Sequence, residues 1–487
     1  MDYSNKFEVN MDFNLKLLDF RNRICGRKIA VMGFGVNNLE LVKFLHNYGA
    51  LVYVFDRATK DALSDRIRDN KEYVEAFYLG EDYLSNLDGS FAYIFRTPGM
   101  RPDLPEISAA VSQGAVLTSE MEVFLNLCPS HTIGITGSDG KTTTTTLIYT
   151  MLKTAGYNCY LGGNIGFPLL HRVEEMTPDD YVVLELSSFQ LLGINVSTNI
   201  SVITNITPNH LDMHKDYDEY IAAKENIYLN NKSGLVVLNK DNDVTNQIAQ
   251  KVIAGGKRIV RQFSKTPLNN GVYLDNDSLI YADGKEPKVE IMTRKDIKLV
   301  GMHNVENYMT ACAATYGIVP VEVMKKVANT FGGVEHRLEH VNTINGVKFY
   351  NDSIATSPSR TIAALKSFDE PVVLIAGGKE KGIPYDALGE YLSNKVKVLV
   401  LIGATSKAIA KSLYDYVGED EGKNMPVVYF AEDYRDAVTF AYKCAESGDN
   451  VVLSPASTSY DLFKNFMERG RHFKSIVEEI YNDCSRN

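Results

Sequence analysis

The stretch HTIGITGSDGKTTTTTL, His131–Leu147, gathers residue types that can hold a phosphate. Gly134, Gly137 and Gly140 precede Lys141 and Thr142, whereas the common phosphate-loop formula wants a glycine where Ile135 stands. The chemistry does not demand that spacing. It demands a strand, a turn tight enough to aim backbone N–H groups inward, and a helix N-terminus behind them. TIGI supplies the strand, and TTTTTLIYTMLKTAG supplies the helix. On that geometry Lys141 reaches the β- and γ-phosphates and Thr142 offers its hydroxyl to Mg²⁺. A glycine turn carrying a surface lysine is the plainer alternative, and Thr143 to Thr146 read as helix filler before they read as ligands.

Other groups of the same kind lie downstream. Glu185 follows the apolar run YVVL, at a strand end where a hard cation can be met. His210 closes VITNITPNH, another strand-end segment, although a lone histidine is by default structural. Lys224, in YIAAKENIY, reads by default as a solvated helix lysine, since an ammonium cannot ligate a metal. Nearer the start, GFGVNN has Gly33 and Gly35 but places Asn38 where a dinucleotide fingerprint wants its third glycine. Asp56 follows about twenty residues later, as a ribose-binding acid would.

The elements that must carry these groups are βαβ units. KIAVMGFGVNNLELVKFLHNYGALVYVFD reads strand, glycine turn, helix, strand, and FAYIFRTPG reads as a later strand ending in a turn. The pattern restarts with HTIGITG and again after about residue 334, with PVVLIAGGKEKG and VKVLVLIGATSKAIAKSL. Three α/β domains with mainly parallel sheets are expected, over residues 1–125, 126–333 and 334–487. Active groups are expected at strand C-terminal ends and between domains.

The 487 residues are too many for one ordinary core. No apolar run approaches a bilayer span, the N-terminus lacks signal-peptide organisation, and the six cysteines form no CxxC pair. Reduced thiols in a cytoplasmic protein, with no membrane partner, are expected. The net charge of −10 gives no support to a nucleic-acid partner, yet local loops and Mg²⁺ can still hold a polyanionic small molecule.

TGSDGKTT resembles the ATP loop of the Mur ligases and their relatives, the folylpolyglutamate synthetases. The resemblance continues through GGNIG, LELSSFQL, NITPNHLDMH, YIAAKENIY, GMHNVENYMTA, EHRLE, YNDSIATSP and LSPASTSYDLFKNFMERGRHF, in family order over roughly residues 30 to 473. It implies an N-terminal Rossmann-like UDP-binding domain, a central P-loop ATPase-like domain and a C-terminal Rossmann-like domain. It also implies amide-bond formation through an acyl phosphate. NDS at Asn351–Ser353 with Thr356, and SPASTSYDLFKNFMERG, are similar to the members that add D-glutamate to UDP-N-acetylmuramoyl-L-alanine in peptidoglycan precursor synthesis.

Residue by residue, the resemblance implies that Gly137, Ser138, Asp139, Gly140, Lys141, Thr142 and Thr143 hold ATP. Asn307 faces adenine, Arg337 the phosphates and Asp352 the ribose. Two Mg²⁺ ions are implied, met by Thr142, Glu185, His210 and Lys224, the lysine being carbamylated by CO₂ to become an oxygen ligand. Asn164 is placed near the reaction centre, with Val36, Asn37, Asp56, Arg57 and Gly99 around the UDP moiety. Thr356, Lys381, Ser459, Tyr460 and Phe466 are placed around glutamate, Lys379 competing with Lys381. A closing third domain would complete the site and exclude water. A monomer is expected.

Two departures stand out. Ile354 replaces the lysine of the best-known NDS-Lys-AT pattern, and Asn209 replaces the aspartate common before the metal histidine. The rival readings are a folylpolyglutamate-type ligase, an NAD-dependent oxidoreductase built on the first βαβ unit, and a nucleotide-binding regulator without turnover. GFGVNN followed by FDR at Phe55–Arg57 argues against the first, the second leaves the cradle, Glu185, His210 and Lys224 unexplained, and intact Lys141, Glu185 and His210 argue against the third.

Overall fold

The computed structural model describes residues 3–209, 213–230, 234–284, 287–380, 383–420 and 422–486. Three sheets organise them. The first contains β1 (Lys28–Met32), β2 (Leu51–Asp56), β3 (Ala76–Leu79), β4 (Tyr93–Phe95) and β5 (Val116–Thr118) in the order β3-β2-β1-β4-β5. All its pairings are parallel, the order of a doubly wound nucleotide-binding sheet. Ile29, Ala30, Val31 and Met32 are fully buried, so β1 is covered on both faces, as its unbroken apolar run requires. Burying a large apolar side chain of this kind contributes about 1.5–3 kcal/mol.

The second sheet contains β6 (His131–Thr136), β7 (Cys159–Gly163), β8 (Tyr181–Glu185), β9 (Ile200–Ile203), β10 (Leu235–Asn239) and β11 (Ile259–Ser264). It continues through β12 (Asn270–Asp275), β13 (Ser278–Asp283) and β14 (Val289–Thr293), in the order β14-β13-β12-β11-β10-β9-β6-β8-β7. The pairings are parallel from β7 to β12 and antiparallel over β12-β13-β14. β6 therefore lies between β8 and β9, and the C-terminal ends of these strands form the shelf on which the site is built. In register, Ile135 of β6 lies opposite Glu185 of β8, two residues before Gly137.

The third sheet contains β15 (Glu339–Ile344), β16 (Val347–Asn351), β17 (Val372–Ala376), β18 (Val396–Leu401), β19 (Val427–Phe430) and β20 (Asn450–Leu453). Its order is β15-β16-β20-β17-β18-β19, parallel except at β15-β16.

The chain forms two compact units. Met1–Asp296 with Val305–Ala328 holds the first two sheets, and Ile297–Asn304 with Asn329–Asn487 holds the third. The residues before β1 form a helix, Tyr3–Ile24, in the first unit. Among the described residues no helix is long and apolar enough to cross a membrane.

Candidate functional site: a phosphate cradle with a buried lysine

The loop after β6 turns through Gly137 and Gly140, both with positive φ (148° and 78°), and enters the helix Lys141–Thr154. Its backbone is braced from the neighbouring strand end. Asn205 Oδ1 accepts the Asp139 N–H at 2.9 Å, and the Thr204 hydroxyl donates to the Asp139 carbonyl at 2.6 Å. Ser138 Oγ is held between the Tyr220 hydroxyl at 2.9 Å and the Thr207 backbone, whose N–H it accepts at 2.9 Å. Asn205 and Tyr220 carry no expectation from sequence; their strand-end and helix settings, NITPNH and YIAAKENIY, are the signals that could have found them.

The glycines are steric requirements. A Cβ at Gly137 would stand 1.9 Å from Thr204 Oγ1, and one at Gly140 would stand 2.5 Å from Asn307 Oδ1. Asn307 thus lies against the cradle, its Oδ1 also 3.3 Å from the Thr144 hydroxyl. Gly137→Ala adds backbone strain of about 1–3 kcal/mol to that clash. Because Thr204 is itself fixed to the loop, the loop must move. We expect ADP affinity, read by titration calorimetry, to fall by about tenfold or more.

Two lysines converge on one carbonyl. Lys141 Nζ donates to the carbonyls of Gly137 and Ser138, each at 2.9 Å, and Lys224 Nζ donates to the Gly137 carbonyl at 2.9 Å. Lys224 also lies 3.3 Å from Thr136 Oγ1 and 4.6 Å from the centroid of the Tyr220 ring. It is 1% exposed, contrary to the solvated position its helix suggests. Burial, and secondarily the charge of Lys141, lowers its pKa to about 7, with Asp139 pulling the other way. Near neutral pH a large share of this amine is therefore uncharged and nucleophilic.

Glu185 ends β8 and is 2% exposed. Its Oε1 accepts a hydrogen bond from Asn164 Nδ2 at 2.8 Å, and the Asn164 N–H donates to the Glu185 carbonyl at 2.7 Å. Its Oε2 is buried with no protein partner. An orphaned buried carboxylate oxygen beside a phosphate cradle fits a hard cation. Thr142, in the first turn of the helix behind the loop, is half-buried. Among the described residues no cluster of three or more histidine, cysteine or acidic side chains could hold a metal unaided. His210 and Lys381 lie outside the described residues.

Around the first sheet, Asp56 has a bracing role in the turn. Its Oδ2 accepts the Phe34 N–H at 2.6 Å and its Oδ1 the Ala58 N–H at 2.7 Å. Asn38 fills the place of the missing third glycine by donating to the carbonyls of Met32 and Gly33 at 3.0 and 2.8 Å. Arg57 and Gly99 are exposed, and Val36 and Asn37 open the helix Val36–Asn47; the side chains of those two are not among the described ones. A cavity of about 210 Å³ lies within this unit, lined by Asn38, Arg96, Thr97, Glu120, Asn164 and Gln190 among others. It joins loops of the first sheet to Asn164 of the second.

The other expected residues lie in the second unit. Asp352 accepts the Ser454 hydroxyl at 2.8 Å and the Leu338 N–H at 3.2 Å; burial raises its pKa to about 7 against the pull of these bonds, Arg337 and Arg360. Ser459 is buried, Thr356 and Phe466 are half-buried, and Tyr460 is 64% exposed. Lys379 pairs with Thr458, its N–H donating to the Thr458 carbonyl at 2.8 Å, so the competing lysine adjoins Ser459. Arg469 was not anticipated. Fully buried, it donates to Ser353 Oγ, the Ser353 carbonyl and the Ser457 carbonyl at 3.0, 2.8 and 3.1 Å, tying two expected glutamate-side segments together.

Parallel sheets, a glycine cradle at a helix N-terminus and a buried acid at the adjoining strand end define a phosphate-handling α/β protein of the P-loop class. The chain belongs to the Mur ligase family: the model of the Mur ligase middle domain matches residues 135–315, and that of the Mur ligase glutamate ligase domain matches residues 336–457. Its architecture is the three-domain α/β one of that family. It is 49% identical over 96% of its length to the UDP-N-acetylmuramoylalanine–D-glutamate ligase of Ruminiclostridium cellulolyticum, all of which is covered. It is 51% identical over 96% of its length to the enzyme of the same name from Acetivibrio thermocellus, of which 99% is covered. Among solved structures, the UDP-N-acetylmuramate–alanine ligase MurC of Thermotoga maritima superposes with a TM-score of 0.55 at 18% identity, covering 93% of this chain and 99% of that one. The MurF ligase of Thermotoga maritima in complex with ADP gives 0.51 at 15% identity, covering 94% and 97%. At those identities the likeness is one of fold.

Proposed function

We propose that this chain is the ATP-dependent ligase that joins D-glutamate to UDP-N-acetylmuramoyl-L-alanine in peptidoglycan precursor synthesis. The observation that carries the reading is the cradle itself: a phosphate loop, two lysines on one of its carbonyls, and the buried Glu185 with an unpartnered oxygen on the adjoining strand. The shared name of relatives near half identity over almost the whole chain supports the substrate pair.

A carboxylate is a poor electrophile. Its oxygen attacks the γ-phosphorus of ATP, ADP leaves, and the alanyl group becomes an acyl phosphate. The glutamate amine then attacks the acyl carbon and loses a proton, and phosphate leaves carrying one former carboxylate oxygen. Lys141 and the loop N–H groups bind the phosphates, Thr142 and Glu185 would hold magnesium, and Asn164 orients Glu185. Two magnesium ions, when bound, offset the charge of the two anions brought together. A carbamate on Lys224, formed from its uncharged amine and CO₂, would replace a cation with an oxygen ligand, with His210 as the remaining ligand.

On this reading residues 1–125 bind the UDP moiety through Val36, Asn37, Asp56, Arg57 and Gly99. Residues 126–333 bind ATP, with Asn307 at adenine. Residues 334–487 bind glutamate through Thr356, Lys381, Ser459, Tyr460 and Phe466, with Arg337 and Asp352 serving the nucleotide. The protein acts as a monomer in the cytoplasm, where its nucleotide-linked substrate is made.

The test is ADP release with UDP-N-acetylmuramoyl-L-alanine and either D- or L-glutamate, and with folate as the alternative acceptor. Turnover with the muramyl acceptor and D-glutamate, with ¹⁸O from the alanyl carboxylate appearing in phosphate, is expected. Turnover with folate instead, or phosphate free of the label, would overturn the reading.

A further inference from the structure

Arg96 and Arg101 flank the turn Thr97–Met100 that follows β4, and each reaches across to the second sheet's side of the first unit. Arg96, 7% exposed, donates through Nη1 to the Met100 carbonyl at 3.1 Å. Through Nη2 it donates to the carbonyls of Phe189 and Leu192, the former at 2.9 Å. Those carbonyls lie at the C-terminal end of the short helix Ser188–Leu191, which begins three residues after Glu185. Arg101 makes a two-pronged contact with Glu219, Nη1 to Oε2 at 3.0 Å and Nη2 to Oε1 at 2.9 Å.

Between the two arginines a chain of contacts runs through His214, one of whose links, at Nδ1, is a close approach and not a hydrogen bond. Glu219 Oε2 lies 3.4 Å from His214 Nδ1, and His214 Nε2 lies 2.9 Å from the Ser188 hydroxyl. The His214 ring stacks on Phe189 at 5.4 Å between centroids and is wholly buried. Arg96, the helix Ser188–Leu191, His214, Glu219, Arg101 and the Met100 carbonyl therefore form a closed ring. On one side it frames Thr97, which lines the cavity with Arg96, Asn164 and Gln190. On the other it holds the segment that leaves Glu185.

We propose that this ring is a positioning device: Arg96, Arg101, His214 and Glu219 fix the strand end bearing Glu185 relative to the Thr97–Gly99 loop, so that seating of the nucleotide-linked acceptor and placement of the cation-facing carboxylate are one event. The inference rests on the ligase reading, because that reading assigns the acceptor and the cation. Its physical basis is that the guanidinium groups of Arg96 and Arg101 are engaged by protein carbonyls and a carboxylate. Two guanidinium groups hold carbonyls and a carboxylate in fixed forks, and the geometry they impose passes to Glu185 through the short helix Ser188–Leu191 and the residues that join it to β8.

The test uses the full-length chain with Arg96→Met, Arg101→Met, Arg101→Lys and the Arg96→Met/Arg101→Met double variant. Mn²⁺ affinity of the ADP complex is read by electron paramagnetic resonance, ADP affinity without metal by calorimetry, and kcat and KM by ADP release. Each methionine variant is expected to weaken Mn²⁺ and lower kcat by about tenfold, while metal-free ADP affinity stays within about twofold. Opening a ring once or twice has nearly the same consequence, so the double variant should be scarcely worse than the poorer single one. Arg101→Lys should recover part of the loss. Additive losses, a rise in KM for the acceptor with Mn²⁺ affinity intact, or equal loss of metal-free ADP binding would each overturn the proposal. Inactivity of the wild type toward D-glutamate, with the Mn²⁺ pattern as expected, would sink the ligase reading and leave the ring standing.

Discussion

Lys224→Met is expected to lower turnover by about a hundredfold or more while making the ligand-free protein more stable. Both effects come from one property of the site. The ammonium is 1% exposed, and the nearest compensating groups are the Gly137 carbonyl, the Thr136 hydroxyl and the Tyr220 ring, with Lys141 repelling it. A neutral side chain of similar length removes that desolvation cost and fills the same volume. The cost has a pH signature. Burial brings the folded-state pKa to about 7 from the ordinary lysine value of 10.5, so between these values the unfolded chain binds the extra proton. Stability must then rise with pH across that window, by up to about 1.4 kcal/mol per unit, and gain nothing more from this group above it. In CO₂-depleted buffer, the wild-type denaturant midpoint should climb between pH 7 and pH 9 more steeply than that of Lys224→Met. Lys224→Ala, which leaves room beside the Gly137 carbonyl, should lose most of its turnover and regain part of it with short-chain carboxylates if the lysine works as a carbamate. Full activity of Lys224→Ala without rescue would remove the carbamate from the mechanism.

The phosphate loop was legible in the sequence because its determinants are local: three glycines, a lysine and the helix they open fall within a few residues. The place of Glu185 at a strand end was legible for the same reason, as an acid closing an apolar run. What escaped is long-range. The burial of Lys224 depends on Thr136 and Gly137, nearly ninety positions away in the chain, so YIAAKENIY alone suggests a solvated lysine. Asp56 has a part that spacing does not show. Its spacing from the glycines suggests a ribose contact, and both carboxylate oxygens also brace backbone N–H groups of the turn. Asn38 likewise looked like a defect in a glycine formula, and its amide instead secures the end of β1. Arg96, Arg101 and Arg469 each act on residues about a hundred positions distant, and no spacing rule anticipates such contacts.

The second large effect is expected for Glu185→Gln. Glutamine keeps the volume and can still accept the Asn164 amide at the position of Oε1, so the end of β8 should retain its path. It places an NH₂ group where the structure has the buried, unpartnered Oε2. That exchange removes the negative charge a hard cation requires and sets two N–H donors toward it. Turnover should fall by about a thousandfold, the scale seen when a preorganised charge contact is removed from a reacting phosphoryl group. Mn²⁺ binding to the ADP complex should be lost, and metal-free ADP affinity should stay within about threefold because the cradle is untouched. The amide's unsatisfied donors cost about 1–3 kcal/mol of folding stability, whereas losing an unpaired buried charge acts in the opposite direction. The variant's denaturation midpoint should therefore lie close to that of the wild type, which separates a lost ligand from a lost fold. Retained Mn²⁺ binding in Glu185→Gln would place the cation elsewhere on the shelf of strand ends, and would leave the orphaned oxygen without a chemical purpose.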